Sequence, residues 1–295
     1  MKKSSGYALI RRHLRRYPRS LRQALMRELN QLITYEPVIG IMGKTGVGKS
    51  SLCNALFRSK VCSVNAVEAC TRKPQRVRLR FGNHYLTLID LPGVGENLKR
   101  DDEYRALYQK LMPQLDMVLW VLKADDRAFS VEEHFYQVVF THNNAPVPPV
   151  LWVLNQVDKV EPVEQWNWPS AQPSALQAEH ILRKQQAVAH QLGIAVNDIL
   201  SVSIRGRYRL SRLVEAMITR LPKQARSPLV PHLQNGYRTD TVITTASNSF
   251  GDAVVDVIDK VIDLAPLPQV ARSALHAVTH TVARAARSLW GFFFG

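Results

Sequence analysis

An α/β fold built on a mostly parallel, six-stranded sheet is predicted by three observations. Apolar, β-branched runs alternate with helical periodicities from residue 36 to residue 221. Two of those runs, residues 115–122 and 149–154, are apolar almost throughout, as in strands buried on both faces. At residues 38–57 a strand, a glycine loop and a helix follow one another, the context in which G-x-x-x-x-G-K-[ST] becomes a phosphate site.

The chain opens on an arginine-rich arm. Lys2, Lys3, Arg11, Arg12, Arg15, Arg16, Arg19 and Arg22 all precede the first acid, Glu28. Leu21, Leu25, Leu29 and Leu32 then recur at helical spacing, which predicts a helix over residues 20–33 capped by Ser20, its leucine face docked on the nucleotide domain. Residues 38–42 read as a buried strand. The loop after it is Gly43-Lys44-Thr45-Gly46-Val47-Gly48-Lys49-Ser50, continued by Ser51. Gly43, Gly46 and Gly48 admit backbone angles that a Cβ forbids, so successive N–H groups can turn inward on a phosphate. The helix starting near Lys49 adds its unpaired N–H groups and positive dipole end. Lys49 would reach the β- and γ-phosphates of a nucleoside triphosphate, and the Ser50 hydroxyl would ligate Mg²⁺.

Residues 59–74 carry no strong periodic pattern. Residues 75–81 alternate polar and apolar, as in a half-exposed edge strand, and Gly82-Asn83 turns the chain into an antiparallel strand over residues 85–90. That strand ends in Asp90-Leu91-Pro92-Gly93. Helices follow over residues 101–115, 130–142, 174–192 and 209–221, interleaved with strands at 115–122, 149–154 and 199–202. Residues 159–173, with their prolines and tryptophans, read as a loop. The prolines from Pro222 onward predict a linker over residues 222–240. Beyond it Phe250, Val254, Val257, Ile258 and Val261 line one helix. Val270, Ala274, Ala277, Val278, Val282 and Leu289 line a second, with Pro266 and Pro268 between them. The expected plan is a basic arm and helix (1–35), a nucleotide domain (36–221), a linker (222–240) and a helical C-terminal extension (241–295).

Composition narrows the partners. The chain has 295 residues, 46% of them hydrophobic, which supports a large core and excludes global disorder. Its formal net charge of +15 predicts attraction to RNA, DNA or anionic lipid without choosing among them. Cys53, Cys62 and Cys70 are odd in number and form no C-x-x-C pair, so a zinc site or disulfide framework is not expected and a reducing, cytoplasmic compartment is. No apolar h-region follows the basic N-terminus, and no uncharged apolar run approaches the roughly 18 residues of a spanning helix. His276 and His280 are spaced i, i+4 without an H-E-x-x-H pattern, so packing or exposure is expected of them rather than a metal. The apolar C-terminal hairpin and the aromatic tail, Trp290-Gly291-Phe292-Phe293-Phe294, motivate an alternative reading as a surface that meets a membrane or assembles.

In motif order, residues 36–221 resemble the Era/TrmE-like small GTPases, most closely the YfjP-like subfamily. The resemblance implies a Ras-like P-loop fold that hydrolyses GTP to GDP and phosphate with Mg²⁺. Asn155-Gln156-Val157-Asp158 stands where the family has N-K-x-D. Asp158 would accept hydrogen bonds from guanine N1–H and the 2-amino group. Adenine offers neither donor, and leaving the carboxylate unpaired costs on the order of 1–3 kcal/mol. Asn155 would buttress the base site, and Gln156 replaces the lysine whose stem covers the base. Asp90 to Gly93 matches D-x-x-G: Asp90 would hold Mg²⁺ through a water and the Gly93 N–H would sense the γ-phosphate. Thr71 is the candidate switch threonine on Mg²⁺, among nearby hydroxyls that include Ser63. Ser203-Ile204 stands where the family has a serine–alanine pair at the guanine oxygen. Lys49, Thr71 and Gly93 are thereby the catalytic candidates. Two departures bear on rate. Val94 follows Gly93 where Ras-like enzymes orient water with glutamine, and Gly46 stands where potassium-activated relatives carry asparagine. Slow intrinsic hydrolysis, accelerated by a partner, is therefore expected. The ribosome or RNA, an anionic membrane surface, and a second copy through the GTP-binding domain are the candidate partners. A nucleotide-binding scaffold with negligible turnover is the remaining alternative.

Overall fold

In the computed structural model, which describes residues 2–58, 74–91, 101–141 and 147–295, six strands form one sheet. They are β1 (Val38–Met42), β2 (Gln75–Phe81), β3 (His84–Asp90), β4 (Met117–Lys123), β5 (Val150–Asn155) and β6 (Ile199–Ser201), in the order β2-β3-β1-β4-β5-β6. Every neighbouring pair is parallel except the β2–β3 hairpin. Gly82 turns that hairpin at φ 60°, a conformation open to glycine. The mostly parallel, six-stranded sheet expected from the sequence is the one that forms.

The two apolar runs are central strands with a core on each side. Along β4, Met117, Leu119 and Val121 enter one core, while Val118, Trp120 and Leu122 enter the other. Parallel register sets Trp120 opposite Trp152 of β5, and their rings stack with centroids 4.4 Å apart. The second core lies under α4 (Asp101–Leu111), α5 (Ser130–Tyr136) and α6 (Ala175–Leu192). The helix expected over residues 101–115 ends early in a 3₁₀ turn, Met112–Gln114, because Pro113 disfavours helical angles at the residue before it. The one expected over 130–142 becomes π-helical at Gln137–Thr141. Ser174 caps α6 by accepting from the Gln177 N–H.

The first core is completed by both ends of the chain. The N-terminal arm is itself a helix, α1 (Lys2–His13), followed by α2 (Arg19–Ile33). Pro18, not Ser20, occupies the cap of α2, and no side chain caps it. Its predicted leucines are buried, and α2 packs against α9 (Asp240–Asp263) rather than chiefly against the sheet. Between α7 (Leu210–Arg220) and α9, the stretch expected as a linker forms α8 (Lys223–Leu229) and two 3₁₀ turns. Ala225, Leu229, Val230 and Leu233 there are fully buried, and the Gln234 N–H donates to the Leu56 carbonyl at 2.9 Å. Pro222 and Pro231 stand at the starts of α8 and of the 3₁₀ turn Val230–His232, and Pro228 lies inside α8.

The C-terminal hairpin forms as expected from α9 and α10 (Gln269–Ser288); of the expected α10 stripe, Val282 and Leu289 are buried and Val278 packs on the core, but its N-terminal half faces out. Val270 is 83% exposed, and Ala274 and Ala277 are exposed too, while Thr279, Val282, Ala283 and Ala286 are buried. The inward stripe is set by close approach to α9, where Arg287 crosses Gly251 and reaches Asp252 at 2.6 Å. On the outer side His276 is held by Asp259 at 2.7 Å, and no described cluster could hold a metal ion. The aromatic tail is mostly core, with Phe292 exposed. In α11 (Trp290–Phe294), Trp290, Phe293 and Phe294 are buried. Trp290 donates to Ser227 Oγ at 2.8 Å, and His84 Nε2 lies 2.7 Å from the Phe293 carbonyl. No described helix is long and apolar enough to cross a membrane.

Next to that seam His232 is buried near His84 and Arg238. Desolvation, reinforced by those two groups, pushes its pKa down to about 4. The unfolded chain takes up this proton as pH falls through about 6.5, whereas the folded chain resists until about 4. The stability involved is present above pH ~6.5 and is lost on acidification toward pH ~4, to a total of about 3 kcal/mol. In urea unfolding, the stability of the wild-type chain relative to His232→Leu is expected to shrink by about 2–3 kcal/mol between pH ~7.5 and ~4.5.

Candidate functional site

The site is built at the carboxyl end of β1, where strand connections diverge to the β3 side and to the β4 side. β1 delivers the loop from Gly43 to Gly48 into α3 (Lys49–Leu56). Gly43, Gly46 and Gly48 all have positive φ, at 137°, 81° and 96°. At two of them space is also decisive. A Cβ on Gly43 would stand 2.2 Å from the Val121 carbonyl, and one on Gly48 would stand 2.6 Å from Asn155 Nδ2. Thr45 and Gly46 form the exposed crest, and Val47 is buried beneath it. Lys49 curls back over the loop, its ammonium 2.8 Å from the Gly43 carbonyl and 3.2 Å from the Lys44 carbonyl. Ser50 and Ser51, partly exposed, occupy the first turn of α3.

The end of β5 closes on this loop. Asn155 is buried, and its Nδ2 donates to the Val47 carbonyl at 2.8 Å. Gln156, in the left-handed region at φ 64°, donates from Nε2 to the Gly46 carbonyl at 3.1 Å. Lys159 in turn donates to Gln156 Oε1 at 2.7 Å. Asp158 follows in the 3₁₀ turn Val157–Lys159 and is buried. The next loop arrives through β6: the Val157 N–H donates to the Val202 carbonyl, and Ile204 Cδ1 lies 3.6 Å from the Cβ position of Gly48. Ser203 is fully buried, and its Oγ accepts from the Gly206 N–H at 3.1 Å, so its side chain serves its own turn. Trp166 packs beneath that turn against Tyr208.

At the other end, Asp90 closes β3 and lines a small notch with Lys49 and Ser50. Burial raises its pKa above the ordinary carboxylate range, and the Lys49 ammonium partly offsets this. Its Oδ1 is buried and has no hydrogen-bond partner among the described residues. An orphaned carboxylate oxygen beside a serine hydroxyl is a donor set that suits a hard divalent cation. The structure thus brings Gly43 to Ser51 together with Asp90, Asn155, Gln156 and Ile204. Thr71, Gly93 and Val94 lie outside the described residues.

One participant was hidden from sequence. Lys44 forms a 2.8 Å ion pair with Glu132 of α5, whose side chain is 2% exposed. In sequence Glu132 and Glu133 look alike as first-turn helix acids, and nothing local says which is buried. The pair fastens the phosphate loop to α5. Trp166 was likewise assigned only to a loop.

Comparison with known proteins agrees with this geometry. The family described as 50S ribosome-binding GTPase matches residues 38–156. The Escherichia coli (strain K12) protein YkfA is 44% identical over all of this chain and all of its own length. YfjP of the same strain is 44% identical over 92% of both chains. The GTPase Der of Rhodopirellula baltica is 28% identical over 43% of this chain and 29% of its own.

Gly48→Ala tests the closure between the phosphate loop and β5. The methyl group must displace Asn155 and break its bond to Val47. Binding of a fluorescent guanine nucleotide is expected to weaken at least about tenfold, with far-UV circular dichroism unchanged.

Proposed function

The chain belongs to the family of P-loop GTPases that includes YkfA and YfjP, and from that premise we propose that it is a slow, Mg²⁺-dependent GTP switch acting on the ribosome or its RNA. The observation that carries the reading is the pair of hydrogen bonds from Asn155 and Gln156 to the Val47 and Gly46 carbonyls. They fix the loop that ends in Asp158 against the loop that would hold the phosphates. A nucleotide spanning the two would meet Asp158 with its base and the N–H groups of Gly43 to Ser50 with its phosphates. Gln156 takes over the bracing of the phosphate loop that the family lysine would otherwise share.

Ser50 and Asp90, with Thr71, would hold Mg²⁺, which when bound neutralises charge on the β- and γ-phosphates. Lys49 would bear on the same oxygens. Gly93 would report the γ-phosphate through its N–H, and the Ser203-Ile204 backbone would face the guanine oxygen. Val94 offers no group to orient the attacking water, and Gly46 supplies no asparagine, which supports slow turnover without a partner. The ribosomal reading draws on the description of the matching family, on the +15 net charge and on the basic N-terminal segment. The burial of Trp290, Phe293 and Phe294 favours this reading over a membrane-surface one, although Phe292 of the tail and Leu264 and Val270 of the hairpin are exposed.

Single-turnover hydrolysis of GTP, with and without purified 50S subunits, tests the switch. Intrinsic turnover is expected near 10⁻³ s⁻¹, roughly the scale of a P-loop GTPase without a supplied arginine, and 50S subunits should raise it. Partner-free turnover above about 1 s⁻¹ contradicts the proposal. Separately, Gln156→Ala should weaken GDP binding about fivefold in calorimetry, the loss of one hydrogen bond of about 1 kcal/mol.

A further inference from the structure

Away from the nucleotide site, α1 and α2 enclose an open groove of about 840 Å³. Its rim carries Arg11 and Arg15 on one side and Arg19, Arg22 and Arg27 on the other. We propose that this groove is a docking surface for the phosphate backbone of structured RNA, a proposal that rests on the ribosome or RNA reading above and names where contact is made.

The charge is set up for a ligand. Among the described residues, none of these five arginines takes part in an ion pair. Elsewhere the chain pairs its arginines readily: Arg78 with Glu36, Arg220 with Asp198, Arg287 with Asp252. The one acid within α2, Glu28, turns away and lines a different cleft beside Lys260. Arg22 is half-buried, and its Nε is buried without a hydrogen-bond partner. A buried donor left unpaired costs about 1–3 kcal/mol, and a phosphate oxygen in the groove would satisfy it.

The walls favour a nucleic acid over a lipid surface. A membrane-binding helix needs an exposed apolar face to sink into the acyl boundary. Ile10 of α1, Leu14 of the turn after it, and Leu21, Leu25 and Leu29 of α2 are instead buried in the core, and Leu9 and Met26 are half-buried. The groove is lined by Tyr7 and Met26 between the arginines, and Tyr7 is fixed by a 2.6 Å hydrogen bond to Asn30 Oδ1. Concave walls of guanidinium groups fit two phosphate strands, which they can hold bidentately, better than a flat bilayer. Every arginine placed on a phosphate should contribute to the salt dependence of binding.

The test uses the full chain and the variant Arg11→Gln/Arg15→Gln/Arg19→Gln/Arg27→Gln, which spares the half-buried Arg22. Fluorescence anisotropy follows binding of an rRNA stem–loop and of a DNA duplex of matching sequence, and sedimentation follows phosphatidylglycerol vesicles, over about 50–200 mM salt. GTP turnover and the melting temperature, unchanged in the variant, show that it folds. Wild type should bind the stem–loop most tightly. The variant should lose at least tenfold in affinity, and its log–log salt slope should become shallower by about three. The single exposed change Arg15→Glu should weaken binding in the same direction. Equal RNA affinity and slope in wild type and variant overturn the groove, as does arginine-dependent binding that is tighter to DNA or vesicles than to RNA. If wild type binds 50S subunits and the variant binds them equally, the groove fails and the ribosomal reading stands. If wild type binds neither RNA nor 50S subunits, that reading fails and takes the groove with it.

Discussion

The missing side chain of Gly48 is the constraint on which the site depends. It leaves room for Asn155 to lie across the phosphate loop and hold the Val47 carbonyl, while Gln156 holds the adjacent Gly46 carbonyl. Without that closure, β1 and β5 would present two separate loops at the edge of a sheet. With it, the loop after β1 and the loop after β5 are joined by hydrogen bonds. The ion pair between Lys44 and the buried Glu132 extends the same logic to α5, so the loop is braced on two sides.

The frame beneath the site is fixed by both chain ends. Asp116 accepts from the Tyr35 hydroxyl at 2.7 Å and from the Val38 N–H at 2.8 Å, which pins the start of β1 where α2 enters it. α2 lies on α9, α9 on α8 and α10, and α11 closes the seam over β3 through His84. The helices that flank the sheet sequence are therefore part of its core.

How much of this was legible depended on how local each signal was. β1 and β2 could be read to their end residues because a glycine turn or loop cuts off a short alternating or apolar run. The phosphate loop is spelled out by three glycines and a lysine. What escaped was fixed by distant contacts. α1 was legible only as an arginine-rich arm because its sequence is polar, yet Gly6 lets Phe293, at the far end of the chain, approach it closely. The N-terminal half of the α10 stripe was misread because alanine and valine tolerate exposure, whereas Thr279 is drawn inward through its bonds to Asp259 and the Leu275 carbonyl; Val282 and Leu289 were read correctly. Prolines in residues 222–240 signalled a break in structure, whereas Pro222 and Pro231 stand at helix starts and Pro228 lies inside α8. Glu132 carries no mark in the sequence of its partner Lys44.

The account stands on one claim, that the loop tied to the phosphate site by Asn155 selects guanine through the buried Asp158. Calorimetric titration of GDP, GTP and ATP into the full chain with Mg²⁺ tests it most directly. The guanine nucleotides should bind, with ATP weaker by about tenfold to a hundredfold, the consequence of leaving that carboxylate unpaired. ATP binding as tight as GTP would contradict the account.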